Sequence, residues 1–176
     1  MSENSLNIFF NNKLFKIRNG VSNAIIKAEV VDALCSLGFD KWMFGSESRQ
    51  SLFGPATMAS GQTWRWLLIY MGKGYLYIDP VIKYCRETHK PFYWDSSQES
   101  HCEDKKVKEF WLDVAGNGFR SGLSVPLRSP SGLRGIISVV SDRPLTETQI
   151  NFEKNMQNVS LIGEAMHIGI EKLMRK

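Results

Sequence analysis

The segment from Trp66 to Pro80 sets a single carboxylate, Asp79, in a dense field of aromatic and aliphatic side chains. An ionised carboxylate in apolar surroundings is costly unless donors meet it. Any fold of this chain must therefore supply hydrogen bonds to Asp79, from the protein itself or from a bound polar group. Trp66 and Tyr70, four residues apart, share one face of a helix and bring an indole N–H and a phenol O–H to the same place, as a ligand pocket requires. Asp79 followed by Pro80 also reads as an N-cap with proline at the first helical position, a role that needs no ligand. From the residues alone both roles stay open.

Periodicity and end signals place the other elements. Leu6 to Ile17 carries a helical apolar pattern that Gly20 ends, and from the cap Ser22 a mostly core-facing helix sets Ile25, Ile26, Val30, Val31, Leu34 and Leu37 at helical spacing before Gly38 stops it. Phe39 to Gly45 reads as a strand, then a serine-rich loop over 46–51 and a second short strand near Phe53. Further helices are expected over Gln62–Met71, broken by Gly72 and Gly74, over Pro80–Thr88, and over Glu103–Asn117; Phe92 to Trp94 is extended. Arg120–Leu127 and Arg134–Val140 form a hairpin about the turn at 129–132. Thr146 with Gln149 has the form of a capping box and opens a closing helix with apolar positions from Ile150 to Leu173. This order predicts an α+β domain with an antiparallel sheet, not alternating βαβ units.

At 176 residues the chain suits one domain. No apolar run approaches the roughly 20 residues that span a bilayer, and residues 1–5 lack the basic start of a secretory signal, so a soluble cytoplasmic protein is expected. Cys35, Cys85 and Cys102 are odd in number and widely spaced, which predicts reduced thiols with no disulfide or zinc site. The formal charge of +4 is scattered among 18 acidic residues and reads as a solvated surface, not a nucleic-acid stripe. His89, His101 and His167 have no metal-ligand or catalytic spacing, and Gly72-Lys73-Gly74 is too short for a phosphate loop. With no nucleophile beside a base, no metal cluster and no cofactor motif, binding is favoured over catalysis.

A set of ordered motifs runs from Trp66-x-x-x-Tyr70 through Tyr75, Asp79-Pro80, Pro91-x-x-Trp94 and Phe110-Trp111. It continues with Gly118-Phe119-x-x-Gly122-x-x-x-Pro126-Leu127 and Gly132-x-x-Gly135-x-x-Ser138. In these the chain resembles the acyl-homoserine-lactone-binding (autoinducer-binding) domain of LuxR-type quorum-sensing transcription factors. The resemblance implies an α-β-α sandwich: a central antiparallel sheet of about five strands with helices on both faces and the ligand between sheet and helices. It implies that Asp79 accepts a hydrogen bond from the ligand amide, Trp66 donates to the lactone carbonyl and Ser138 donates to the amide carbonyl. Tyr70, Trp94, Phe110, Trp111 and Phe119 would wall the ligand, and Met43, Leu123, Val125 and Ile136 would close the acyl end.

Two positions depart from the pattern. Gln62 stands where many members carry tyrosine, which alters a second donor to the amide carbonyl, and Val81 stands where some receptors for 3-oxo ligands carry threonine, which implies weak selection for a 3-oxo group. Residues 1–176 are expected to be one sensor domain, with the family's helix-turn-helix domain, its route to DNA, absent from this chain. An excised domain or a natural receptor-like protein forming inactive heterodimers would both look this way, and a non-lactone signal is a further alternative. Homodimerisation is expected, through the Ile150–Leu173 face if core packing does not itself account for that periodicity.

Overall fold

The computed structural model describes residues 3–47, 57–60 and 63–175. Its strands are β1 (Trp42–Glu47), β2 (Thr57–Ala59), β3 (Phe92–Asp95), β4 (Ser121–Arg128) and β5 (Arg134–Ser141). They pair antiparallel in the order β2-β1-β5-β4-β3, the five-stranded sheet the sequence implies. The hairpin between β4 and β5 closes where expected, with Gly132 at a φ of 87° and its N–H donating to the Ser129 carbonyl.

The helices are α1 (Glu3–Arg18), α2 (Asn23–Ser36), α3 (Trp64–Gly72), α4 (Pro80–Glu87), α5 (Lys105–Gly116) and α6 (Leu145–Met174). Short 3-10 turns lie at Tyr75–Tyr77 and Ser96–His101. Ser22 caps α2 by accepting from the Ile25 N–H, and Asp104 caps α5 by accepting from Lys106 and Val107.

Strand pleating divides the interior into two cores. Trp42, Phe44, Leu123, Val125, Ile137 and Val139 point to one face, where they pack with Ile17 of α1, Ile26 and Leu34 of α2, and Phe152, Ile162, Met166 and Ile170 of α6. Met43, Trp94, Ile136 and Val140 point to the other, against Trp66 and Tyr70 of α3, Val81 and Ile82 of α4, and Phe110, Trp111 and Val114 of α5. The result is helices on both faces of one sheet.

Three expectations need correction. The first strand begins at Trp42, not Phe39, because the Phe39 N–H donates to the Leu34 carbonyl at 2.9 Å and finishes the turn that ends α2. It also runs on through Ser46 and Glu47, whose register with Gly135 and Arg134 extends the ladder into the expected loop. Phe53 and the rest of that loop lie outside the described residues; the short second strand is at Thr57–Ala59. Finally, Thr146 does not cap α6. The helix begins at Leu145, and Gln149 reaches on to Glu153 instead of back. The cap comes from Asp95, 50 residues away in sequence, whose Oδ2 accepts the Leu145 N–H at 2.8 Å. Burial acts to raise the Asp95 pKa, but the N–H donors of Leu145 and Ser97 outweigh it and hold the carboxyl below its ordinary range.

The apolar face of α6 packs into the domain's own core, with Val159, Ile162 and Met166 fully buried, whereas Ile150 is 81% exposed. Core packing accounts for the periodicity of that face. No helix among the described residues is long and apolar enough to cross a membrane.

His167 of α6 is buried beneath the hairpin, its Nε2–H donating to the Leu133 carbonyl at 3.3 Å and its Nδ1 without a partner. Burial lowers its pKa below the ordinary imidazole value. A base neutral in the native state is protonated first in the unfolded chain, so this histidine withdraws stability as pH falls below about 6.5. In a pH series of thermal unfolding, His167→Met should flatten that loss relative to the wild type; an identical slope would remove His167 as its source.

Candidate functional site

Between the second face of the sheet and α3, α4 and α5 lies a cavity of about 140 Å³. Strand register builds its floor in rows. Met43 pairs with Ser138 and Ser138 with Ser124; Gly45 pairs with Ile136; Glu47 pairs with Arg134, and Arg134 with Arg128. Its roof is Trp66 and Tyr70 from α3, Leu76, then Asp79, Val81, Ile82, Cys85 and Arg86 along α4, and Phe110 and Trp111 from α5. Trp94 and Phe119 close the sides.

The helical spacing of α3 puts Trp66 and Tyr70 inward and leaves Trp64, Leu68 and Met71 exposed. The inward rings pack edge to face, Trp66 to Tyr70 at 5.9 Å, Trp66 to Phe119 at 6.1 Å and Tyr75 to Phe110 at 5.2 Å between centroids. Tyr75 is fixed from outside, its hydroxyl donating to Asp113 of α5 at 2.6 Å, and Lys73 bonds the same carboxylate. Such a wall is stiff, because each ring is held by at least one other.

Asp79 is 8% exposed and both its oxygens are engaged. Oδ1 accepts the Val81 N–H at 2.7 Å, the N-cap bond of α4, and Oδ2 accepts the Tyr70 hydroxyl at 2.8 Å. Each carboxylate oxygen can accept a second bond, so capping leaves capacity toward the cavity. Burial raises the Asp79 pKa to about 6, against the opposing effect of the Tyr70 and Val81 donors. Tyr70 is itself pushed well above its ordinary value, first by burial and then by the Asp79 charge, which keeps it a donor.

A second polar group faces the cavity from the sheet. The Trp94 indole donates to Ser124 Oγ at 3.0 Å, and Ser124 Oγ lies 2.8 Å from Ser138 Oγ. An indole N–H can only donate, so Ser124 accepts there and its own proton is available to Ser138. In that arrangement the Ser138 hydroxyl is free to donate into the cavity.

Met43, Trp66, Tyr70, Asp79, Val81, Trp94, Phe110, Trp111, Phe119, Ile136 and Ser138 all line this cavity; Gln62 lies outside the described residues. Leu123 and Val125 do not close it. They are register partners of Val139 and Ile137 and point into the opposite core, one residue out of phase with Ser124. Sequence reasoning missed Ser124, whose two-residue offset from Gly122 and Pro126 marks the same strand face, and it missed Glu47, Arg86, Arg128 and Arg134 at the cavity's far end.

A sheet flanked by helices, with an aromatic-walled cavity whose carboxylate is met by a tyrosine and a backbone N–H, gives the domain an enclosed site of small-molecule size. The chain belongs to the autoinducer binding domain family, whose model matches residues 22–168, and so to the sensors of LuxR-type quorum-sensing regulators. It is 30% identical over 78 residues to the transcriptional activator protein TraR of Agrobacterium vitis, covering 44% of this chain and 33% of that protein. To the transcriptional activator protein VanR of Vibrio anguillarum it is 24% identical over 149 residues, 83% of this chain and 53% of that one. It therefore matches about half or less of each of these relatives. The fold is shared with the N-acylhomoserine lactone dependent LuxR family transcription factor CepR2 of Burkholderia cenocepacia. That match has a TM-score of 0.74 and 20% identity, covering 95% of this chain and 96% of that one.

Proposed function

We propose that the cavity receives an N-acyl-homoserine lactone and that its binding is coupled to folding of the domain, as the sensing step of a transcriptional regulator. The observation that carries this reading is Asp79: a buried, acceptor-only group with capacity left on the cavity side, matched to a ligand amide N–H. Ser138 donates to the amide carbonyl and Trp66 to the lactone carbonyl, while Trp94, Phe110, Trp111 and Phe119 wall the head group. Met43, Val81 and Ile136 take the acyl chain, whose burial contributes about 0.8 kcal/mol per methylene. The assignment of Gln62 to the head group and the expectation of homodimerisation belong to the same reading.

A panel of acyl-homoserine lactones of graded chain length, read by thermal unfolding, tests it. A ligand at a hundredfold excess over its dissociation constant stabilises the native state by about 2.7 kcal/mol. For a chain of this size that is a rise of roughly 5–10 °C. The rise should climb with chain length and then fall once the cavity is filled. No rise with any lactone would set the reading aside.

A further inference from the structure

The end of the cavity away from Asp79 breaks a local rule. Arg128 and Arg134 are direct register partners across β4 and β5, and like charges placed opposite on one sheet face repel. Arg86 joins them from the last turn of α4, and among the described residues lining this end the one carboxylate is Glu47. It pairs with Arg86 at 2.8 Å and with Arg134 at 3.4 Å. Arg128 instead donates to the backbone carbonyls of Leu127, Cys85 and Thr88, which are neutral, so among the described residues its charge meets no carboxylate. Among the described residues, three guanidinium groups against one carboxylate leave a net positive pole at this end of the cavity.

Two elements measure how far this pole lies from the head-group end. Along α4, seven residues from Asp79 to Arg86 advance about 10 Å. Along β5, four residues from Ser138 to Arg134 advance about 13 Å. The lining between them is aliphatic, with Val81, Ile82 and Ile136. An extended chain of about ten carbon atoms bridges that distance.

We propose that the ligand's tail ends in a carboxylate, which Arg134 and Arg86 receive beside Glu47, so that the preferred ligand is an amphiphile with a polar group at each end. This rests on the lactone reading above and specifies its ligand class. A simple acyl tail would bring a terminal methyl against guanidinium groups that have no use for it, whereas a carboxylate completes Arg134 and offsets the charge of Arg128.

Isothermal titration of the wild-type domain with decanoyl-homoserine lactone and with its omega-carboxy counterpart of equal chain length tests the proposal. The carboxylated ligand should bind about tenfold more tightly, with a preference that shrinks as salt is raised. Arg134→Met and Arg86→Met should each bring the ratio toward one. Equal or weaker binding of the carboxylated ligand by the wild type, or a preference that survives both substitutions, overturns it while leaving the lactone reading intact. The wild-type comparison decides the point even where a variant fails to fold. If neither lactone binds, the lactone reading falls and this proposal falls with it.

Discussion

At pH 7.5 the Asp79→Asn domain should unfold at a temperature equal to or a few degrees above the wild type, and it should lose most of its thermal response to an acyl-homoserine lactone. The two halves of this result have one cause. Asp79 is held in apolar surroundings that raise its pKa to about 6, and two donors do not fully compensate its burial. A carboxyl whose native pKa lies above its unfolded value contributes stability that is fully present below about pH 4 and is lost as pH rises through about 6. At neutral pH the ionised group therefore weighs on the unliganded fold by about 2–3 kcal/mol. Asparagine removes that charge, caps helices as well as aspartate does, and keeps an oxygen for the Val81 N–H. What it cannot offer a ligand amide is a charged acceptor. The same argument gives the pH dependence of binding: as pH falls below about 6 the acceptor is protonated, and affinity should drop by up to about tenfold per pH unit. Thermal unfolding with and without ligand at pH 7.5, and titration at pH 7.5 and 5, check both. A mutant that is less stable but responds fully to ligand would reduce Asp79 to a helix cap.

Asp79 was readable because everything that defines it is local. The proline that follows it, the glycines that turn the chain before it, and the four-residue spacing of Trp66 and Tyr70 all act within 15 residues, and the structure joins them in one hydrogen bond. What could not be read depends on pairing between distant segments. Leu123 and Ser124 are neighbours in sequence, and only the register of β4 on β5 decides which of the two lies on the cavity side of the sheet, a phase that sequence alone does not carry. The capping box at Thr146 fails for a similar reason, because Asp95 supplies the cap from the end of β3, and no local pattern could announce it. The basic end of the cavity is the extreme case. Glu47, Arg86, Arg128 and Arg134 come from four elements, and each alone reads as an ordinary surface charge. Local chemistry thus sets the Asp79 end of the cavity, while topology assembles its basic end.

Gly122 is where the two kinds of information meet, and Gly122→Ala should be among the most damaging single-methyl additions in this chain. Gly122 pairs with Trp94 across β4 and β3, and the indole lies directly over it. An added Cβ would come within 2.7 Å of Trp94 Nε1 and closer still to Cε2 and Cζ2. The ring is 6% exposed and packs against Trp111 at 6.0 Å, so it has little room to retreat. Overpacking of this kind costs about 1–3 kcal/mol. Moving the ring also takes the indole N–H from Ser124, which is fully buried and sets the Ser138 hydroxyl. We therefore expect a fall in unfolding temperature of roughly 5–10 °C together with a weakened ligand response. Adding Trp94→Phe to Gly122→Ala separates the two contributions. The smaller ring should recover part of the stability but not the ligand response, because phenylalanine has no N–H for Ser124. Recovery of both would make the contact one of space alone, and a single variant with wild-type unfolding would show that the indole is free to shift.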